Sequence, residues 1–347
     1  MSNKHHAGII GVATYHPETF WSAEKMAEES GLPLEVIVDK IGVLQKPMPG
    51  PDDTTSNMGI YAARKAIDNA GISPEEIDVV IWDGAQHKDY MNWLAFTKVC
   101  HELGATKAWG FDMESMCGSV IVGIEIAKSL ILSREDVKTV LLVSGYRNCD
   151  MINLKYKPAA FLFDIGAGGS ALVLRENAAI NEVLGSAAVA DGSFSEDFVV
   201  PVGGSKKWPM EPEDVEKTWF HITCDPNDFK ERLSAVTLKN WYHVIDTALS
   251  RSGLTRKDID YFAMVKIKRS AHYEVLRELG LREDQSVFLE NYGHVGQNDV
   301  VFSLEDGLRL DRIKDGDNVL MVSAGGGWTW NAAVVRWGKV KNPQGGD

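Results

Sequence analysis

Chemistry in this chain gathers around one cysteine. The segment Phe111-Asp112-Met113-Glu114-Ser115-Met116-Cys117-Gly118-Ser119 leads into an apolar helix with small residues on one face, and Cys117 and Gly118 read as its first turn. A cysteine there sees the partial positive charge of the helix N-terminus, which favours the nucleophilic thiolate. The adjoining glycine lets an acyl group approach the backbone. The same segment reads equally well as a buried, inert thiol, the usual fate of a free cysteine. A second segment, Val322-Ser323-Ala324-Gly325-Gly326-Gly327-Trp328, sets three glycines directly after an apolar strand. Backbone N–H groups exposed in such a turn suit an oxyanion hole, although a tight packing loop leaves the same trace.

The elements that must position these residues follow from composition and periodicity. At 347 residues, 44% hydrophobic and 24% charged, the chain has the make-up of a soluble globular protein with a substantial core. A net charge of −13 argues against nucleic acid or an anionic membrane as the main partner. Cys100, Cys117, Cys149 and Cys224 lack CxxC pairing, which predicts neither a disulfide framework nor a zinc site. There is no signal-peptide pattern and no uninterrupted run of eighteen apolar residues, so the expectation is a cytoplasmic protein without a membrane span.

The chain also repeats itself. Gly71–Asp78 followed by Val79–Trp82 recurs as Gly253–Asp260 followed by Tyr261–Val265, at an offset of 182 residues. Val140–Gly145 recurs as Val319–Ala324, at an offset of 179. Each copy is a helix, a glycine stop, a short loop and a buried strand. Two matches in order predict two similar α/β halves, residues 1–184 and 236–340. Between them, residues 185–235 are rich in Gly, Pro and aromatic residues, among them Phe194, Phe198, Trp208, Trp219 and Phe220, and read as an inserted cap or tunnel wall. Residues 341–347 read as a disordered tail.

Three stretches together carry a family resemblance: Cys117 with its helix; Leu162-Phe163-Asp164-Ile165-Gly166-Ala167-Gly168-Gly169-Ser170-Ala171; and Ala324–Trp330 followed by Val335-Arg336-Trp337. With Ile9-Ile10-Gly11-Val12, they are similar to ketoacyl-acyl-carrier-protein synthase III. Pro51–Ser56 and its neighbours also resemble the archaeal-type hydroxymethylglutaryl-CoA synthase branch of the same superfamily. The resemblance spans Ala7 to Gly338. It implies a duplicated thiolase fold with two similar βαβαβ-type halves layered α-β-α-β-α, and a homodimer. It also implies Cys117 as the nucleophile that accepts an acyl group, with the Gly326 and Cys117 N–H groups as the oxyanion hole.

The chain departs from that family at the other two catalytic side chains. Where the family carries a His, at about Val265, this sequence reads Val265-Lys266-Ile267-Lys268, and Lys266 or Lys268 becomes a candidate for the vacant role. Where the family has Tyr-Gly-Asn, this chain has Tyr292-Gly293-His294, so His294 becomes the candidate base or thioester donor, with Gln297-Asn298-Asp299 just beyond. His272 reads as structural. Val36 replaces the Trp that stacks on adenine, Lys40 replaces an Arg, and Lys40 and Asn298 stand as the candidate coenzyme A contacts. Gln86 stands where the hydroxymethylglutaryl branch has a catalytic Glu, and His87 is a weaker candidate.

The reading is an acyltransferase without a permanent cofactor. It takes an acyl group from an acyl-CoA or acyl-carrier-protein thioester onto Cys117 and passes it to an acceptor, by Claisen-type carbon–carbon bond formation first and by oxygen or nitrogen acylation second. The alternatives are a non-catalytic subunit of a heteromeric thiolase-type complex and a thioester hydrolase on the same scaffold.

Overall fold

The runs Val79–Trp82, Val140–Val143 and Val319–Val322 are buried at every position, as strands covered on both faces must be. A computed structural model describes residues 5–340; the tail expected at 341–347 lies outside them. The chain runs β1 (Ala7–Tyr15), β2 (Thr19–Ser22), α1 (Ala23–Ser30), β3 (Gln45–Met48), α2 (Thr55–Ala70), β4 (Val79–Trp82), α3 (Ala95–Leu103), β5 (Trp109–Asp112), α4 (Ser119–Ser133) and β6 (Thr139–Tyr146). It continues β7 (Gly168–Glu176), β8 (Ile180–Ala190), β9 (Phe198–Val199), β10 (His221–Ile222), α5 (Pro226–Arg251), β11 (Tyr261–Met264), α6 (Arg269–Leu279), α7 (Asp299–Arg309), β12 (Asn318–Gly325) and β13 (Thr329–Lys339).

Nine strands hydrogen-bond in the order β11-β12-β13-β8-β1-β7-β6-β4-β5. The duplication is visible in the ladders themselves. Parallel β4 and β6 pair Val79 with Val140, and parallel β11 and β12 pair Tyr261 with Val319. The sequence offsets of 182 and 179 therefore carry through the register residue by residue. In each half the next strand runs antiparallel, β7 beside β6 and β13 beside β12. The halves join where Gly8 of β1 pairs with Glu182 of β8.

Alternation along the strands builds the layers. Val79 and Ile81 of β4 share a core with Tyr261 and Ala263 of β11, and between them lie Val120, Ile121 and Ile124 of α4 and Val300, Val301 and Leu304 of α7. The opposite faces, Val80 with Trp82 and Phe262 with Met264, are covered by α2 and α3 in one half and by α5 and α6 in the other. The five-layer thiolase fold results, with α4 and α7 as its middle layer. Met116–Ser133 has the length and composition of a membrane span, but its apolar residues are those of the central layer.

The insert differs from its expected limits. Strand β8 runs across the 184/185 boundary and pairs with β13. Asp225 caps α5, accepting from the N–H groups of Asn227 and Asp228, and Pro226 stands at its first turn, so that helix begins inside the 185–235 segment.

Candidate active site

The cysteine sits on a sharp turn between β5 and α4. Met113 N donates to the Trp82 carbonyl at 2.8 Å, holding the chain beside β4. Met116 then adopts φ +49°, a left-handed conformation that costs a non-glycine residue on the order of 1–2 kcal/mol. Gly118 caps α4. Cys117 therefore stands one residue before the cap rather than within the first helical turn, as the sequence suggested. Its carbonyl accepts from Ser323 Oγ at 2.5 Å, while Ser119 Oγ accepts from Ser115 N and donates to the Met116 carbonyl, both at 2.7 Å. Gly118 makes room for a protein side chain: a Cβ there would lie 2.0 Å from Asn331 Nδ2.

The three-glycine turn arrives over the same backbone. A Cβ at Gly325 would lie 2.9 Å from the Cys117 nitrogen, and one at Gly326 would lie 3.3 Å from the Phe198 ring. Phe198 stacks on Phe220 with ring centroids 4.9 Å apart and stands 6.1 Å from Trp328. Phe194 packs beneath, against Phe229 and Trp328. The inserted segment thus supplies an aromatic wall beside the turn; Trp208 is exposed and takes no part in it.

His294 reaches the cysteine from the other half. Its Nε2 lies 3.3 Å from Cys117 Sγ, and its Nδ1 lies 2.6 Å from Asp299 Oδ2. Asp299 is fully buried at the start of α7, where the helix dipole favours a carboxylate. It also accepts from the backbone N–H groups of Val295 at 2.6 Å and Lys266 at 2.7 Å. A carboxylate only accepts, so Nδ1 carries the proton and Nε2 faces the sulfur. Burial opposes charge on the imidazole, but the Asp299 carboxylate and the Cys117 sulfur outweigh it and hold the His294 pKa well above its ordinary value. A thiol, an imidazole and a buried carboxylate thus stand in line, an arrangement that can support nucleophilic chemistry.

The remaining candidates lie elsewhere. The Lys266 ammonium points away from the cysteine, into a buried ion pair with Asp164 and a 2.7 Å bond to the Ile41 carbonyl, so its side chain does not fill the vacant His role. Lys268 is exposed at the start of α6. Lys40 is exposed on a short helical segment, Val36–Ile41. Asn298 is wholly buried, accepting from Ser170 Oγ at 2.7 Å and donating to the Val295 carbonyl at 3.1 Å, which removes it as a coenzyme contact. His87 forms a half-exposed pair with Asp150 at 3.1 Å. His272 is buried against Ser286 Oγ, and burial pushes its pKa down to about 4. Asp299, in contact with the His294 ring, is the candidate side chain that sequence reasoning passed over. Its only signal was an acid five residues after His294, in a triplet read merely as polar.

Comparison with known proteins places the chain in a family. The chain matches the model for 3-oxoacyl-[acyl-carrier-protein] synthase III over residues 111–192, and the model for that enzyme's C-terminal region over residues 249–337. It is 30% identical to the β-ketoacyl-[acyl-carrier-protein] synthase III of Caldanaerobacter subterraneus subsp. tengcongensis, covering 98% of this chain and 100% of that one. The crystal structure of the 3-oxoacyl-(acyl carrier protein) synthase III of Pseudomonas aeruginosa PAO1 superposes with a TM-score of 0.82 at 21% identity, over 97% of this chain and 100% of that one. The priming β-ketosynthase of the R1128 polyketide pathway does so with a TM-score of 0.82 at 21% identity, over 98% of each chain. With its duplicated fold and a cysteine at the mouth of the central helix, the chain belongs to the 3-oxoacyl-[acyl-carrier-protein] synthase III family of acyltransferases.

Proposed function

We propose that Cys117 takes an acyl group from an acyl-CoA or acyl-carrier-protein thioester and passes it to an acceptor, with His294 as the base and Asp299 orienting it. The 3.3 Å approach of His294 Nε2 to Cys117 Sγ carries this reading. In the first step the sulfur attacks the thioester carbonyl, a new C–S bond forms and the donor's C–S bond breaks. The cysteine proton passes through His294 to the departing thiolate. The N–H groups of Cys117 and Gly326 are the proposed oxyanion hole. Carbon–carbon bond formation is the second step that the relatives' names support.

A specific observation favours a second acceptor class. A histidine backed by a buried carboxylate is built to remove a proton from an attacking O–H or N–H, and Val265 leaves the family's other histidine position apolar. The acceptor's proton would go to Nε2, its oxygen or nitrogen would bond to the acyl carbon, and the Cys117 thiolate would leave. The assembled Cys117–His294–Asp299 line speaks against a silent subunit. In a hydrolase, water would be the acceptor in that same step.

The exposed edge supports a homodimer: β5 ends the sheet, and Tyr90, Met91, Leu94 and Trp109 present large apolar surface beside it. A cytoplasmic location is proposed from the family membership. Intact-mass analysis with a panel of free and carrier-bound acyl thioesters tests the first step. An acyl adduct on the parent and none on Cys117→Ala is expected; no adduct with any donor sinks the acyl-enzyme. Malonyl, hydroxyl and amine acceptors then separate the second-step readings, and free acid released at the turnover rate without an acceptor marks the hydrolase.

A further inference from the structure

We propose that the buried Lys266–Asp164 ion pair is a positioning device that holds His294 in line with Cys117. The proposal rests on the reading of His294 as the base. The backbone of His294 is gripped on both sides: its N–H donates to the Asp164 carbonyl at 3.0 Å, and its carbonyl accepts from Gly166 N at 3.0 Å. The approach is so close that Gly293, at φ +63°, has no room for a Cβ, which would lie 2.1 Å from the Asp164 carbonyl.

The gripping segment is itself fixed by two buried ammonium groups. Lys46 Nζ donates to the carbonyls of Phe163 at 2.8 Å and Ile165 at 2.9 Å, the two residues flanking Asp164. Lys266 Nζ pairs with the Asp164 carboxylate, and both side chains are nearly sealed from solvent, at 2% and 4% exposure. The same lysine donates its backbone N–H at 2.7 Å to Asp299 Oδ2, the oxygen that holds His294 Nδ1. One residue therefore ties both ends of the histidine, the ring through Asp299 and the backbone through Asp164.

Charges of this kind are expensive to bury, and a well-packed neutral pair often serves stability equally well. Retaining the pair directly behind the base therefore points to geometry rather than stability. His294 faces Cys117, Asp299 and the Tyr146 ring. Lys266 faces Asp164, the Phe288 ring at 5.5 Å and, more distantly, His272. Among the described residues no other acid lies within ion-pair distance of the Lys266 ammonium.

The test is the double variant Asp164→Asn/Lys266→Met in the full chain, which removes both charges and leaves the backbone N–H to Asp299 in place. Three quantities are read: the melting temperature, kcat with KM, and the rate of Cys117 alkylation by iodoacetamide at pH 6.5 relative to pH 9. Expected are a melting temperature within about 5 °C of the parent, a kcat lower by roughly 10–100-fold with KM changed less than about threefold, and a reduced alkylation ratio. Asp164→Asn alone keeps an oxygen for the ammonium and should lose less of kcat and of the alkylation ratio, although the unbalanced buried charge costs it more stability than the double variant loses. It carries the test if the methionine keeps the double variant from folding, by showing whether kcat per folded molecule and the alkylation ratio move.

Unchanged kcat and alkylation ratio in a folded double variant overturn the proposal, because a merely structural pair would alter stability alone. His294→Ala in the same assays separates the two levels. If it moves the ratio and the double variant does not, only the positioning role falls. If it moves nothing, the base reading falls and the positioning role falls with it.

Discussion

Nδ1 of His294 lies 2.6 Å from Oδ2 of Asp299, five residues further along the chain and fully buried. The carboxylate sets which nitrogen bears the proton and fixes the ring plane, while the backbone N–H groups of Val295 and Lys266 fix the carboxylate. Asp299→Asn keeps the size but offers an amide that can turn its NH2 to the ring and favour the wrong tautomer. A fall in kcat/KM of about 10²–10⁴ is expected. A stability loss of roughly 1–3 kcal/mol should accompany it, since one backbone N–H loses its acceptor. Activity near the parent's would show that Asp299 serves only to hold the backbone of Val295 and Lys266.

The same pair predicts a pH profile. Because the His294 pKa is raised in the folded protein, transfer to an acceptor needs a higher pH to expose neutral Nε2. Log kcat should climb with pH at about one unit per unit and level off clearly above the ordinary histidine value. In Asp299→Asn the limb should move to lower pH. For folding the sign is opposite: stability from the charged imidazole is complete below the unfolded pKa and is lost as pH rises through the folded one. A limb at or below pH 6.5 contradicts the relay.

The fold was legible because its evidence is redundant. A strand pair such as Val79–Val140 and its echo Tyr261–Val319 keep fixed sequence offsets, and a register cannot slip without turning every buried side chain outward. Cys117 and His294 were legible because each stands in a short motif whose glycine is sterically required, Gly118 by Asn331 and Gly293 by Asp164. Side-chain direction was not legible. Lys266 stands beside the vacant catalytic position, yet its ammonium turns toward an acid 102 residues earlier in the chain. Asn298 and Asp299 are neighbours in one polar triplet, and only the start of α7 sends the first to Ser170 and the second to His294.

The turn that holds Cys117 gives a steric prediction. A methyl at Gly118 would lie 2.0 Å from Asn331 Nδ2 and 2.8 Å from its Cγ, so Gly118→Ala forces either the turn or Asn331 to move. A destabilisation of about 1–3 kcal/mol is expected by thermal unfolding, together with a marked loss of acylation. Gly118→Ala/Asn331→Ala should recover more than half of the stability, because the clash is with that side chain. Absence of recovery would locate the constraint in the backbone of the turn instead.

One buried carboxyl takes no part in the proposed chemistry. Asp83 follows β4, is 1% exposed, and neither of its carboxylate oxygens has a hydrogen-bond partner among the described residues. Burial pushes its pKa up to about 7 from 3.8. Below pH 3.8 the carboxyl is protonated in both folded and unfolded chains and carries no ionisation penalty. Between that value and 7 the unfolded chain ionises first, so the penalty on folding grows with pH and then stays constant, reaching about 4 kcal/mol at most. Asp83→Asn carries its own, pH-independent cost of an unpartnered amide. The diagnostic is therefore the change between conditions: in denaturant unfolding, the variant's stability relative to the parent should be higher by about 2–3 kcal/mol at pH 8 than at pH 4.5. Equal differences at the two pH values would mean that the carboxyl finds a partner, most simply an ordered water, that keeps it ionised in the fold.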